Sequence, residues 1–159
     1  MGSAFLAPLL KDPGLSHTLQ NVRNGRVLAH RLLPAFDSKS RRDGLLRYES
    51  LDEGSAMLIA PSSAVHTFFM RFPIDMTFVT KDGRVLKTRS EVRPWRMAGA
   101  LRAYVVIELP AGTLARCDTV PGDMLVIVPG NSSDSSKTNL SRSRDDSVSA
   151  SRVSRVNTR

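Results

Sequence analysis

Six side chains that could bind a ligand or transfer a proton lie within or after one aromatic-rich stretch, residues 66–86. They are His66, Thr67, Arg71, Asp75, Trp95 and Glu108. If the stretch begins as a regular strand, Thr67 and Arg71 project from one face and Asp75 follows on the same parity. An arginine offers a planar fork of donors, and a carboxylate accepts. The spacing therefore predicts a non-enzymatic binding site for a small polar or anionic ligand or a partner peptide, in a groove walled by these strands and the Trp95 loop.

An enzymatic alternative uses the same residues. General acid–base catalysis needs two proton-transferring groups close together, and the sequence offers His66 with Asp75 or Glu108. A hydrolase-like activity would require these side chains to converge in one concave pocket with shifted pKa values. A binding module would require only a groove in which Arg71 or Trp95 is exposed. The sequence leaves open whether the protein is an enzyme.

Asp75 also has a purely structural interpretation. Its carboxylate could accept hydrogen bonds from backbone N–H groups across a kink at Pro73, or it could pair with a nearby arginine. In either case Asp75 would stabilise the fold and take no part in binding.

The sequence carries no pattern for metal or cofactor chemistry. The three histidines, His17, His30 and His66, lack the spacing of metal ligands. Cys117 is the single cysteine, so it has no partner for a disulfide and no neighbouring base that would activate it. Phosphate-binding glycine loops, nucleophile elbows and dinucleotide-binding motifs are absent from the sequence. We therefore expect no cofactor and no metal ion.

The stretch that carries most of these residues is predicted to form strand, kink, strand, turn and strand. Every second residue from Phe68 to Phe78 is apolar, which is the period of a strand with one buried face. Some of the same residues fit a helical period, but Pro73 lacks the N–H that a helix needs and favours extended backbone before it. Asp82-Gly83 then supplies a tight hairpin turn.

Several motifs in and after this stretch occur in a consistent order. The run HTFFMRFPIDMTFV is followed by DGRVL, RPW, ELPAGT and PGD. From about Arg41 to Val128 the chain resembles the domain of unknown function 192 family, a bacterial and archaeal domain of about this size. The resemblance implies a family and no activity, and some members of that family carry export signals.

The resemblance places particular residues at family positions. Asp75 stands at the characteristic aspartate, and Glu108 stands at the glutamate before Leu-Pro-Ala-Gly-Thr. Met70 matches the methionine after an aromatic pair, whereas Phe69 replaces a common tryptophan. In the segment RRDGLLR, Leu46 replaces a common methionine, which conserves volume. These matches imply positions and no roles.

Short strands recur between turns rich in glycine and proline, and the sequence offers no long crossover helix. We therefore expect a mostly β single domain, a compact antiparallel β-sandwich or barrel-like fold with one or two short helices. Asn24-Gly25 predicts a hairpin turn. Asp37 or Ser38 is predicted to cap a helix over residues 39–46.

Composition sets the expected boundaries. Residues 1–20 lie outside the resemblance and are predicted to form a loosely attached arm, and residues 21–130 are predicted to form the β-rich domain. Residues 131–159 are rich in serine and arginine. This tail has too few apolar side chains to offset its chain entropy, so it is predicted to be disordered.

The chain is basic, with a formal net charge of +8 and a pI of about 10.5. The tail contributes six Lys and Arg against three Asp and Glu. A third hypothesis is therefore salt-dependent nucleic-acid association through the tail. Basic residues do not form a block interleaved with aromatics, which argues against a nucleic-acid partner.

The first residues contain an apolar patch that Pro8 and Lys11 interrupt, without a basic region before it. This pattern predicts neither a signal peptide nor a membrane span. We expect a cytoplasmic protein, and its oligomeric state is not predicted.

Overall fold

The structure, a computed structural model, describes residues 2–130. The elements in chain order are α1 Ala7–Lys11, β1 His17–Asn21, β2 Val27–Ala29, β3 Arg31–Ala35, α2 Ser38–Asp43, β4 Ser55–Ile59, β5 Ala64–His66, β6 Ile74–Val79, β7 Val85–Val92, β8 Met97–Gly99, β9 Val105–Pro110, α3 Thr113–Arg116 and β10 Leu125–Pro129. A five-stranded sheet, β3-β4-β9-β6-β7, forms the centre, and two smaller sheets, β10-β1-β2 and β5-β8, accompany it. The predicted mostly β single domain is confirmed, and its sheets are not closed into a barrel.

Strand direction departs from the prediction at one place. Within residues 2–130 the paired strands run antiparallel except β3 and β4, which are parallel. The connection through α2 is long enough to carry the chain back to the end from which β3 started, as a parallel pair requires.

The central sheet is buried on both faces, and alternation along β9 shows how. Val105, Ile107 and Leu109 belong to an apolar cluster shared with β1, β10 and the N-terminal segment. Val106 belongs to a second cluster, which β5, β8 and the loops after α2 and β5 help to form. Glu108 has the parity of Val106 and therefore faces the second cluster.

The predicted first strand of the central stretch is wrong. β5 ends at His66, β6 begins at Ile74, and the chain between them is irregular. Phe69 adopts a left-handed backbone with φ of 65°, which breaks the alternation expected from Phe68 onward. The chain bends at Arg71 and Phe72, β6 begins directly after Pro73, and the predicted hairpin turn at Asp82-Gly83 is present.

The predicted N-terminal arm is part of the domain. Phe5 and Leu6 are buried in the first apolar cluster, and β1 is the middle strand of its sheet. The tail predicted over residues 131–159 lies outside the described residues.

Residues 2–130 form three short helices, whereas one or two were predicted. Asp37 caps α2, since its Oδ1 accepts from the N–H groups of Lys39 and Ser40 at 2.9 Å each. The helix ends at Asp43 and not at Leu46, because Gly44 leaves the helical conformation with φ of 46°. Among the described residues, no helix is both long and apolar enough to cross a membrane.

Candidate functional site

Asp75 is fully buried and its two oxygens accept backbone hydrogen bonds. Oδ1 accepts from the N–H of Glu91 at 2.8 Å, and Oδ2 accepts from the N–H of Leu114 at 2.8 Å. The first donor lies in β7 and the second in the opening turn of α3, where helical N–H groups lack partners within the helix. Asp75 thus joins three elements, as its structural interpretation requires, although the donors are neither across the Pro73 kink nor from an arginine.

Thr67 is also buried, and it ties its own loop to the loop around Trp95. Its hydroxyl donates to the carbonyl of Arg93 at 2.8 Å and accepts from the N–H of Arg96 at 2.9 Å. Its backbone N–H donates to the carbonyl of Arg96 at 2.8 Å, and its carbonyl accepts from the N–H of Trp95 at 2.9 Å. Thr67 therefore positions the Trp95 loop and is not free for a ligand.

Arg71 does not meet Asp75. Its guanidinium is exposed and lies 3.4 Å from the carboxylate of Glu49, which is exposed as well. The expected pairing assumed a regular strand from Thr67 onward. Because the chain is irregular there, Arg71 projects to solvent while Asp75 points into the core.

Trp95 lies in an aromatic cluster on the surface. Its ring centroid is 4.6 Å from that of Phe69 and 5.7 Å from that of Phe68. Phe68 in turn stacks on His66 at 4.9 Å. The cluster connects Trp95 to His66 through ring contacts.

Glu108 is the candidate that is both buried and without a complete set of partners. The residue is 3% exposed, and its Oε2 has no hydrogen-bond partner among residues 2–130. Its register partners on the neighbouring strands are Met57 and Met76, so the carboxyl lies among apolar side chains. This desolvation raises the pKa of Glu108 to about 8. Glu108 is consequently a neutral carboxylic acid at neutral pH.

Glu108 and His66 line the same cavity, which has a volume of about 160 Å³. His66, at the end of β5, is exposed and so lies at the mouth, whereas buried Glu108 lies deeper. The remaining wall consists of residues around α2 and β5, with Met70. They are Arg41, Arg42, Asp43, Gly44, Leu45, Leu46, Ile59, Pro61, Ser62, Ala64, Val65 and Met70.

Two of the charged residues of this wall already have partners. Asp43 pairs with Arg47 at 2.8 Å, and the guanidinium of Arg41 donates to the carbonyl of Phe36. Arg42 is exposed at the edge of the cavity. Since the carboxyl of Glu108 is neutral and the charge of Asp43 is compensated by Arg47, the charges of Arg41 and Arg42 give the cavity wall a positive balance.

Of the six predicted residues, the cavity brings together His66 and Glu108. Thr67, Arg71, Asp75 and Trp95 do not line it. Analysis of the sequence missed Arg41 and Arg42 as wall residues. The segment RRDGLLR was a usable signal, since its match to a family pattern had already drawn attention to it.

Two further possibilities raised by the sequence were a reactive cysteine and a metal site. Cys117 is buried, which raises the pKa of its thiol, and its Sγ lies 3.3 Å from the carbonyl oxygen of Val27. No group of three or more His, Cys, Asp or Glu side chains within residues 2–130 is arranged to hold a metal ion.

A family model matches residues 20–127, most of the described domain. The chain belongs to the DUF192 family. The description of that family is "Uncharacterized ACR", so membership identifies the DUF192 fold and no activity. Among curated proteins, none matches the chain.

Two crystal structures resemble this DUF192 domain. One, from Sinorhizobium meliloti 1021, is provisionally described as a transcription regulator; it shares 24% identity and a TM-score of 0.61, over 70% of this chain and 91% of its own. The other, a protein of unknown function from Novosphingobium aromaticivorans DSM 12444, shares 22% identity and a TM-score of 0.60, over 69% of this chain and 82% of its own. At these identities the likeness establishes the fold alone.

Proposed function

We propose that the protein is a non-enzymatic binding module that takes a small anion, a carboxylate or a phosphate, in the cavity beside Glu108. The observation that carries the proposal is Glu108, a buried residue of the cavity wall whose Oε2 has no hydrogen-bond partner among residues 2–130. A buried polar atom without a partner costs about 1–3 kcal/mol. A ligand that completes its hydrogen bonding would recover part of that free energy.

The protonation state of Glu108 suits an anionic ligand. With a pKa of about 8 the carboxyl keeps its proton at neutral pH. A neutral carboxylic acid donates an O–H to an oxygen of the ligand and does not repel its charge. Arg42 lies at the edge of the cavity, where its charge can attract the anion, and His66 lies at the mouth, where a ring N–H can donate to it.

The size of the cavity limits the ligand. At about 160 Å³ it is smaller than typical drug-sized pockets, which measure roughly 300–1,000 Å³. Apolar side chains such as Leu45, Ile59 and Val65 form much of the wall, so the ligand has room for a short apolar group beside its anionic one. Binding of a partner peptide in this cavity is not favoured. A cytoplasmic location stays a prediction from the sequence.

Thermal unfolding of the full chain tests the proposal with sodium acetate, inorganic phosphate and, as the neutral control, acetamide. We expect acetate or phosphate to raise the melting temperature of the wild type, since a ligand that binds the folded state stabilises it, and acetamide to have no effect. Glu108→Met keeps the volume of the side chain and should lose this response. Glu53→Gln, at an exposed position, should keep it.

Two results would contradict the proposal. One is a wild type that neither anion stabilises more than sodium chloride at equal ionic strength. The other is a Glu108→Met variant that responds as the wild type does, because the stabilisation would then arise elsewhere on the surface.

A second candidate function is hydrolysis with His66 and Glu108 as the proton-transferring pair. The observation that favours it is that the two side chains line one cavity, and a raised carboxyl pKa suits a general acid. Asp75 is not part of this pair. Hydrolysis of p-nitrophenyl acetate by wild type, His66→Gln and Glu108→Gln tests it: equal rates in all three would exclude the pair.

A further inference from the structure

Three large apolar side chains protrude from the loop after β5 and from residues 95–97, and none of them lines the cavity. Phe69 is 68% exposed, Trp95 is 56% exposed and Met97 is 70% exposed. The rings of Phe69 and Trp95 are in edge-to-face contact, and Met97 follows Trp95 at the start of β8. We call these three residues the aromatic face. Large apolar side chains clustered on a surface mark an interaction site more often than single ones do.

The backbone that carries the aromatic face is strained at two of its residues. Phe69 has φ of 65° and Trp95 has φ of 64°, a left-handed conformation that bulky residues rarely adopt. The hydrogen bonds of Thr67 to residues 93–96 fix both loops in this arrangement. Strained residues of this kind persist where the surroundings enforce them, and they concentrate at functional surfaces.

Two arginines flank Trp95 in the aromatic face. Arg93 and Arg96 flank Trp95 in sequence, both are exposed, and residues 92–107 contain no Asp or Glu. The ion pairs found within residues 2–130 involve neither of these two arginines. Arg71, two residues after Phe69, pairs with an exposed glutamate at 3.4 Å. A surface with these charges is complementary to an anionic one.

We infer that the aromatic face attaches the protein peripherally to an anionic membrane surface. Phe69, Trp95 and Met97 enter the interface between headgroups and acyl chains, where tryptophan is enriched in membrane proteins. Arg93 and Arg96 lie against the anionic headgroups. A protein partner fits the observations less well, because a stable protein interface takes roughly 800 Å² from each partner, whereas the aromatic face consists of three protruding side chains.

The full chain with vesicles of phosphatidylcholine and phosphatidylglycerol in equal parts tests this inference, with pure phosphatidylcholine vesicles as the comparison. Trp95 is the single tryptophan, so its fluorescence reports on this face alone. We expect sedimentation with the mixed vesicles, a blue shift of Trp95 emission on binding, and weaker binding as salt is raised. Phe69→Asn combined with Met97→Ser should weaken binding about tenfold or more.

The variants are chosen so that folding does not decide the result. Asparagine tolerates the left-handed backbone of position 69, and position 97 is exposed. Leu15→Asn, which removes an exposed leucine outside the two loops, should bind as the wild type does. A second variant, Arg93→Gln with Arg96→Gln, should lower the dependence of binding on salt.

Three results would overturn the inference. The first is a protein that stays in the supernatant with the mixed vesicles. The second is binding without any change in Trp95 emission. The third is a Phe69→Asn, Met97→Ser variant that is folded and binds with wild-type affinity, since the attachment would then belong to the basic tail or to another surface.

Discussion

Asp75 and Glu108 lie on adjacent strands of the central sheet but point to opposite faces. The register pairs Met76 with Glu108, one residue beyond Asp75, and side chains alternate along a strand. Asp75 therefore faces α3, where it accepts from the N–H of Leu114, and it also accepts from the N–H of Glu91 in β7. Glu108 faces the cavity, and its Oε2 has no hydrogen-bond partner among residues 2–130. Asp75 stabilises the fold, and Glu108 is the carboxyl that we propose contacts a ligand.

The ionisation of Glu108 should make the free energy of unfolding depend on pH. Its pKa is raised in the folded state from about 4.5 to about 8, so the folded protein holds a proton that the unfolded chain releases within this range. The contribution to stability is complete below pH 4.5 and is lost as pH rises towards 8. We expect the free energy of unfolding to fall by up to about 1.4 kcal/mol per pH unit from this group.

Urea denaturation of wild type and Glu108→Gln across this range measures the effect. The glutamine does not ionise, so the free energy of unfolding of the variant should not fall in this way. The variant should therefore become more stable relative to the wild type as pH rises. Glu53→Gln, at an exposed position, should retain the wild-type slope. Parallel curves for wild type and Glu108→Gln would show that Glu108 titrates normally.

Asp75→Asn should destabilise the fold without altering the binding of acetate or phosphate. The amide can place only one oxygen towards the two N–H donors of Glu91 and Leu114 and leaves one of them unpaired. We expect a loss of about 1–3 kcal/mol in urea denaturation. Asp52→Asn, in an exposed ion pair with Arg31, should cost less than about 1 kcal/mol. A stable Asp75→Asn protein that no longer binds anions would reinstate Asp75 as a binding residue.

Thr67→Val should loosen the Trp95 loop. Valine has nearly the shape of threonine, but it removes the hydroxyl that bonds to Arg93 and Arg96. We expect about 1 kcal/mol of destabilisation and a red shift of Trp95 emission, because the indole becomes more mobile and more hydrated. Thr88→Val, at a partly buried position of β7, is the control. Unchanged emission in Thr67→Val would mean that the loop is held by other contacts.

Asp123 should make the protein sensitive to acid. Hydrogen bonding to Arg23, with Val120 and Asn21, lowers the pKa of this buried carboxyl from 3.8 to about 2. A lowered pKa contributes stability that is present above pH 3.8 and is lost as pH falls through 2.

Asp123→Asn should therefore be less stable than the wild type at neutral pH, and the two should converge in acid. Asp118→Asn removes the exposed partner of the same arginine and should have the smaller effect. Acid unfolding followed by circular dichroism measures both. A constant difference between Asp123→Asn and wild type down to pH 2 would contradict the assignment.

Features of the fold that depend on neighbouring residues could be predicted from the sequence. The turns at Asn24-Gly25 and Asp82-Gly83 and the cap by Asp37 follow from the conformations and donors within a few residues. The irregular loop after His66 could not be predicted, since the hydrogen bonds of Thr67 that enforce it come from residues 93–96. The burial of Phe5 could not be predicted either, because Phe5 packs in a core assembled from strands that are distant along the chain.

The sequence predicted only part of the candidate site, because the rest depends on residues that are distant along the chain. His66 and Glu108 were identified by residue type, but their convergence depends on β9 lying between β4 and β6, an order that no local pattern specifies. Periodicity placed Asp75 with Thr67 and Arg71 because it assumed a regular strand before Pro73 and the same parity after the kink. Only a known strand order separates Asp75 from the cavity and assigns Arg41 and Arg42 to it.

The most direct test of the binding proposal is an NMR titration of the Glu108 carboxyl, using carbon-13-labelled glutamate with and without acetate or inorganic phosphate. We predict a midpoint near pH 8 without the anion and a higher midpoint with it, because the anion binds the protonated carboxyl preferentially. A midpoint in the ordinary range near 4.5, or one that neither anion changes, would contradict the assignment of Glu108 as the ligand-binding group.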